Sequence, residues 1–529
     1  MYKVGNLYFI AATAVISSMS AIISTKAYLC QFNTRGLDDD GNCYGPSADV
    51  QGGITAAMPG GSWLGALVSG FLSDRLGRKT SIQIGCLIWV VGSILSCASV
   101  NIPMLVVGRV VNGFCVGICS AQVPVYISEI APPSKRGRVV ALQQWAITWG
   151  ILIMYFICYG CSFIDGKASF RLPWGLQMIP AILLFVALFF LPESPRWLAK
   201  KDRWEESLSV LMLVHGHGDP NSPFVAQEMA DIREMVEFER ANTDATYLEL
   251  IKPKMINRTM IGVFTQIWSQ LTGMNVMMYY ITYIFAMAGI GNGNLLSSGI
   301  DYIVNVFMTI PALIWLDHWG RRLPLLIGAF FMCLWMCCNA GLFAVYSRPA
   351  TPADHFSSDA ESMAISGAAA KAVIACTYLF VASYAPTWGP VSWAYPPELY
   401  PLRLRGKAVA LCTSANWAFN FALAYFVPPA FASITWKTYV LFAVFCFAMF
   451  WHVFFCYPET ANKTLEEVDD IFDDTKPGAI RYIGQPAWKT RNARHETILR
   501  ERNELGDDKI QQMAAHDAEA HTDTVEHKA

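Results

Sequence analysis

The sequence predicts an all-α, polytopic membrane protein: twelve transmembrane helices in two pseudo-symmetric six-helix bundles. Three observations carry this. Of 529 residues, 54% are hydrophobic and only 15% charged, where a soluble globular chain is about one quarter charged. Apolar stretches long enough to cross hydrocarbon, about 20 residues each, recur twelve times. The loops between them alternate between cation-rich and cation-poor, and short motifs in the first half return in the second in the same order.

The spans fall near residues 6–28, 52–72, 81–99, 103–128, 139–163 and 173–192 in the first half. In the second they fall near 257–288, 297–316, 323–346, 366–396, 407–433 and 437–457. Met1–Gly5 is too short and too weakly basic for the leading region of a signal peptide, so the first run is read as a retained span. This divides the chain into an N-terminal bundle (1–192), a linker (193–256), a C-terminal bundle (257–457) and a tail (458–529). In the linker, WEESLSVLMLV and FVAQEMADIREMVEFER read as amphipathic helices on the inner face. After Asp473 the composition is that of a mostly disordered tail.

Charge orients the spans. Arg75, Arg78 and Lys79 follow the second; Lys135, Arg136 and Arg138 follow the fourth; Arg321 and Arg322 follow the eighth; Arg403, Arg405 and Lys407 follow the tenth. Intervening loops carry few cations, so both termini are expected in the cytoplasm. A net charge of −2 argues nothing about nucleic acid; no basic block stands out, and no nucleic-acid partner is expected. The 15 cysteines sit mostly inside apolar runs as small hydrophobes. Cys30 and Cys43, in a polar loop expected outside, can form a disulfide or stay as two thiols. No Cys/His spacing suggests a metal, and no phosphate loop or nucleophile constellation suggests an enzyme, so no cofactor is expected.

The repeat is specific. DRLGRK (Asp74–Lys79) returns as DHWGRR (Asp317–Arg322), EIAPPSKRGR (Glu129–Arg138) as ELYPLRLRGK (Glu398–Lys407), and PESPRW (Pro192–Trp197) as PETANK (Pro458–Lys463). Flanking charges in general would not recur as an ordered carboxylate–Gly–Arg set. Six helices repeated once in parallel orientation imply a carrier architecture with the substrate held between the halves. The motif residues Asp74, Arg75, Arg78, Glu129, Arg138, Glu193, Arg196, Asp317, Arg321, Glu398, Arg405 and Glu459 are candidate gating residues. Salt bridges between the bundles, from Asp74 or Glu129 to Arg75, Arg138 or Arg405, are expected to latch the inner face. On that reading Arg138→Ala or Glu398→Ala shifts the carrier inward-facing.

GFLSDRLGRK, PESPRWL, SQLTGMNVMMYY, APTWGPVSW and PETANKTLEE resemble the sugar porters of the major facilitator superfamily. GGITAAMPGGSWLGALVSG, WGLQMIP and NWAFNFALAYFVPPAF further resemble fungal high-affinity glucose transporters. The resemblance covers about residues 45–470. It implies a plasma-membrane, multi-pass, monomeric carrier of a monosaccharide, with a co-transported proton and the lipid bilayer as its other partners; polyol or quinate carriers are the alternative. It carries substrate contacts onto Gln144, Gln270, Asn275, Asn305, Trp393, Asn416 and Asn420, with Gln266 one turn before Gln270, and gating onto Tyr279 and Tyr280. The chemistry agrees: a ring of hydroxyls with an apolar face wants neutral amides and a stacking aromatic. Ser269 stands where the family often has a first glutamine. Gly273, Pro386, Gly389 and Pro390 are helix breakers suited to gating segments.

The first span departs from the pattern. Close relatives carry a glycine-rich segment ending in Phe-Gly-aromatic-Asp before SSMSAII, whereas here Ile16 abuts Ser17. The resemblance makes that aspartate the proton carrier, paired with the residue matching Arg109. The 22 charge-free residues from Val4 to Thr25 still span about 33 Å. Arg109, without its partner, either snorkels outward or marks impaired proton coupling. Three explanations stay open: a misassembled reading of the gene, a facilitative or poorly active relative, and a non-transporting sugar sensor.

Overall fold

The computed structural model describes residues 22, 25–34, 36, 43, 45–130, 136–214, 247–288, 294–349 and 363–460. Parts of 225–237 and residues 468 and 472 are also described. Nearly all of the expected first span and the tail beyond 472 lie outside the described residues.

The first half comprises α1 (Lys26–Gln31), α2 (Ala48–Leu76), α3 (Arg78–Cys97), α4 (Ile102–Ile130), α5 (Arg136–Cys161), α6 (Ala168–Leu176) and α7 (Met178–Phe189). The linker holds α8 (Pro195–Lys200), α9 (Trp204–Val214) and a 3-10 turn at Tyr247–Ile251. The second half comprises α10 (Pro253–Leu271), α11 (Met274–Met287), α12 (Asn294–Trp319), α13 (Arg322–Tyr346), α14 (Gly367–Tyr384), α15 (Trp388–Leu399), α16 (Leu402–Ser433) and α17 (Lys437–Cys456). A two-residue ribbon pairs Arg348–Pro349 with Met363–Ala364.

Three expected single spans are each two helices. The seventh breaks at Gly273, whose φ of +85° is left-handed and suits a residue without Cβ. The tenth breaks around Thr387, just after Pro386. The sixth divides at Gln177, whose carbonyl accepts from Trp89 Nε1 at 3.0 Å. By length and hydropathy, eight helices among the described residues qualify as membrane spans. Helices α2 and α16 and the α10–α11 pair fall short of that mark. They bury small and polar faces against protein instead of lipid, so they need less hydropathy.

Glycine sets the closest crossing. A Cβ at Gly61 would stand 2.1 Å from the Val110 carbonyl oxygen, and one at Gly117 would stand 2.1 Å from that of Ser62, so α2 and α4 meet backbone to backbone. Between the halves, α2 packs on α16 and α5 on α12. These two contacts exchange under the six-helix repeat, as a pseudo-twofold requires. The loop cysteines Cys30 and Cys43 form a disulfide, which resolves the alternative left open by the sequence. In the linker, Leu211 of α9 clusters with Val225, Ile232 and Val236, so the amphipathic segments bury their apolar sides on one another.

Candidate functional site

The breaks that interrupt the seventh and tenth spans place polar side chains between the halves. Gly273 ends α10 just after Gln270 and starts α11 just before Asn275. The second half of the broken tenth span carries Trp393. Together with α4, α5, α12 and α16 they enclose a cavity of about 230 Å³. Of the residues expected at the substrate, Gln144, Gln270, Asn275, Asn305, Trp393, Asn416 and Asn420 line it; so do Arg109 and Tyr279.

The amides form one relay. Gln266 Nε2 donates to the Ser392 carbonyl at 2.8 Å, and Asn416 Nδ2 donates to Gln266 Oε1 at 2.6 Å. Gln270 Nε2 donates to Asn416 Oδ1 at 3.1 Å, while Gln270 Oε1 accepts from Asn420 at 3.0 Å and from Asn275. Gln266 therefore does not line the cavity; it holds Asn416 from behind. Every carboxamide in the chain has its orientation fixed by the next, which presents a pre-set pattern of donors and acceptors.

Two acceptors are left over. Asn420 Oδ1 from α16 and Gln143 Oε1 from α5 are buried without a hydrogen-bond partner, and both residues line the cavity from opposite halves. Such oxygens favour a ligand that donates hydroxyl protons. Gln143 escaped the sequence reading because its neighbour Gln144 carried the motif match. Tyr384, Tyr302 and Trp417 also line the cavity. Trp417 Nε1 donates to Ser120 Oγ across the halves at 3.0 Å. Tyr384 lies 3.1 Å from Ser269 Oγ, so the shorter hydroxyl at this departure from the family pattern is engaged by protein. Its signal in the sequence was its place one residue before Ala385-Pro386. Tyr280 has non-helical φ/ψ inside α11 and donates to the Ala424 carbonyl at 2.9 Å.

Arg109 does not snorkel. It is only 5% exposed and its Nε donates to the Ile54 carbonyl at 2.8 Å, with Nη2 3.5 Å from the Thr55 carbonyl. Pro59, inside α2, has no N–H to offer Thr55, so that carbonyl lacks its helical donor. The guanidinium caps the proline break from the neighbouring helix. Arg109→Lys keeps the charge but not the forked donor, and is expected to cost about 1–2 kcal/mol of stability. Pro59→Ala supplies the missing N–H, so the two changes combined should be non-additive in thermal-unfolding measurements on purified protein.

At the basic end the repeated motifs build two matching clusters. In the first half, Arg78 pairs with Glu129 at 2.9 Å, Ser194 Oγ donates to Glu129, and Glu193 accepts from the backbone N–H groups of Arg78 and Lys79 at 3.0 and 3.1 Å. In the second, Arg321 pairs with Glu398 at 2.8 Å, Thr460 Oγ1 donates to Glu398 at 2.6 Å, and Glu459 accepts from the backbone N–H groups of Arg321 and Arg322 at 2.7 and 3.0 Å. Gly77 and Gly320, with φ of +92° and +79°, leave room for the glutamates: a Cβ there would meet Glu193 at 2.5 Å and Glu459 at 2.4 Å.

Among the described residues Glu129 pairs with Arg78 inside its own half, because the DRLGRK turn delivers Arg78 directly against it, and no latch between the halves is seen at Glu129. Arg405 donates to the Tyr400 carbonyl at 3.3 Å. Asp74 and Arg75 are exposed, and Arg75 lies over the Phe71 ring. Arg196 is half-buried. The side chains of Arg138 and Asp317 lie outside the described residues. A contact between halves at this end comes from a residue the sequence reading missed. Tyr247 of the linker reaches Gly70 of α2, and Lys407 of α16 lies 5.9 Å over its ring. Burial, with Asp74 nearby, pushes the Tyr247 phenol above its ordinary range.

Comparison with known proteins agrees with this architecture. The model of the family described as "Sugar (and other) transporter" matches residues 1–472. The glucose transporter mfs1 of Aspergillus flavus is 47% identical over 522 residues, 95% of each chain. A high-affinity glucose transporter of Kluyveromyces lactis is 45% identical over 500 residues, 92% of this chain and 87% of its own. Among solved structures, the proton:xylose symporter XylE with bound 6-bromo-6-deoxy-D-glucose superposes with a TM-score of 0.71 at 24% identity. It covers 89% of this chain and 97% of its own, a likeness of fold. With its family model, its relatives and its repeated motif clusters in agreement, the chain belongs to the sugar transporter family and is a multi-pass membrane carrier.

Proposed function

We propose that the protein moves a monosaccharide, glucose or a related hexose or pentose, across the plasma membrane by alternating access. The observation that carries this is the cavity itself. Among the described residues its lining offers carboxamides, hydroxyls, the Trp393 and Trp417 indoles and the Arg109 guanidinium, and no carboxylate. Gln143 and Asn420, whose amide oxygens are buried without hydrogen-bond partners, line it from the two halves. A neutral polyhydroxyl ring satisfies such a site, while an apolar ligand would leave the amides unpaired. The relatives named as glucose transporters support the substrate class. They also disfavour the sensor reading, since transporters match nearly the full length of the chain.

One chain holds a complete cavity, so a monomer suffices. The Arg78–Glu129 and Arg321–Glu398 clusters tie helices within each half, so the halves rock as rigid units about the α2–α16 and α5–α12 contacts. The Cys30–Cys43 disulfide supports an orientation with its end of the molecule outside, and the cation-rich loops support the basic end in the cytoplasm. The test is uptake of labelled glucose, xylose and glycerol in a transporter-deficient cell, with and without a protonophore. Saturable glucose or xylose uptake is expected, and uptake of glycerol alone would overturn the substrate class. The protonophore arm decides coupling: uptake that it abolishes is proton-coupled, and uptake that it leaves unchanged is facilitative.

A further inference from the structure

Asp301 is fully buried in α12, and neither of its carboxylate oxygens has a hydrogen-bond partner. It lies seven residues into the helix, roughly 10 Å from the disulfide end. The next residue, Tyr302, stacks on Tyr155 of α5 at 4.6 Å between ring centroids, and a Cβ at Gly299 would touch Phe156 and Tyr155. Asp301 therefore sits beside a seam between the halves, at the end where that seam is shut.

The ionisable groups that face it are phenols, Tyr155 from α5 and Tyr378 from α14. The other helices packed on α12 commit theirs elsewhere. On α11, Tyr279 lines the cavity, Tyr280 bonds Ala424 and Tyr283 stacks on Tyr280; on α15, Tyr395 bonds Pro458 and Glu398 lies at the basic end. A buried carboxylate that no cation and no hydrogen bond reaches among the described residues would be an uncompensated charge, whereas the neutral acid gains a donor of its own.

The geometry points to Asp301 as a proton-binding site on the gate at the disulfide end, loaded while α5 and α12 are closed and emptied when the halves part there. Release breaks the carboxyl O–H bond, leaves the electron pair on the Asp301 oxygen and passes the proton to water entering the open seam; reloading reverses each step. The closed state binds the proton more tightly. Acid at that face therefore favours closure and alkali favours opening, with the ratio of states changing up to about tenfold per pH unit between the two affinities. The consequence for gating rests on the alternating-access reading; the site does not.

Infrared spectroscopy of the full chain in nanodiscs, without sugar, tests the site. At neutral pH the wild type should show a protonated-carboxyl stretching band that Asp301→Asn lacks and Asp301→Glu shifts. No such band in the wild type, or the same band in Asp301→Asn, overturns it. If Asp301→Asn misfolds, the Asp301→Glu shift decides the assignment: a shifted band supports it and an unmoved band refutes it. Glucose exchange in proteoliposomes, with pH varied at the disulfide face, tests the gate. Wild-type exchange should fall in acid, and that dependence should vanish in Asp301→Asn. Unaltered pH dependence in the variant overturns the gating role. No exchange by the wild type, with the band present, would instead count against the carrier reading alone.

Discussion

Glu398→Ala is expected to destabilise the second half by about 3–5 kcal/mol, the cost of stranding one partner of a buried ion pair. The Arg321 side chain is only 7% exposed, against 29% for Glu398, and three of its nitrogens are oriented by that carboxylate and by the Leu316 carbonyl at 3.0 Å. Removing the carboxylate takes the ion-pair partner from a buried guanidinium and strips Thr460 of its acceptor. Glu129→Ala should behave alike in the first half, where Arg78 and Ser194 play the matching parts. Thermal unfolding in detergent reads the effect directly. Arg321→Met added to Glu398→Ala should restore much of the loss, because an apolar pair carries no stranded charge. If Glu398→Ala kept full stability and changed only accessibility at the two membrane faces, the carboxylate would be a latch between halves and the within-half cluster would be incidental.

Gln270→Ala is expected to raise the half-saturating sugar concentration by about 10–100-fold with folding retained. Gln270 is the junction of the amide relay: it donates to Asn416 and accepts from Asn275 and Asn420. Its loss removes one donor–acceptor group from the cavity and one hydrogen bond from each of three neighbours, of which Asn416 keeps its bond to Gln266, so about 1–3 kcal/mol of binding is at stake. Gln266→Ala offers a contrast, since Gln266 acts through Asn416 and does not line the cavity; a smaller loss, about tenfold or less, is expected from the same kinetic measurement. Equal losses in the two variants would mean that the relay, and not direct contact at Gln270, governs affinity.

The span pattern, the repeat and the residue types of the site were legible in the amino-acid order alone. Hydropathy and loop charge are summed locally, and a chain that must satisfy every backbone group in lipid has few alternatives to helices. The breaks at Gly273 and Pro386 were legible for the same reason, because backbone restriction belongs to the residue itself. Partnership depended on the folded arrangement of the helices. Glu129 had several arginines within plausible reach, and the turn at Gly77 selected Arg78. Arg109 had lost its family partner, and the carbonyls around Pro59 of another helix received it. Gln266 and Gln143 were interchangeable as sequence, yet one lies behind the cavity and the other in it, and Asp301 looked like any polar residue of a span until α5 closed over it. Hydrogen bonds and ion pairs act over about 3–4 Å. Which groups come that close is set by helix rotation and crossing, which no local pattern encodes.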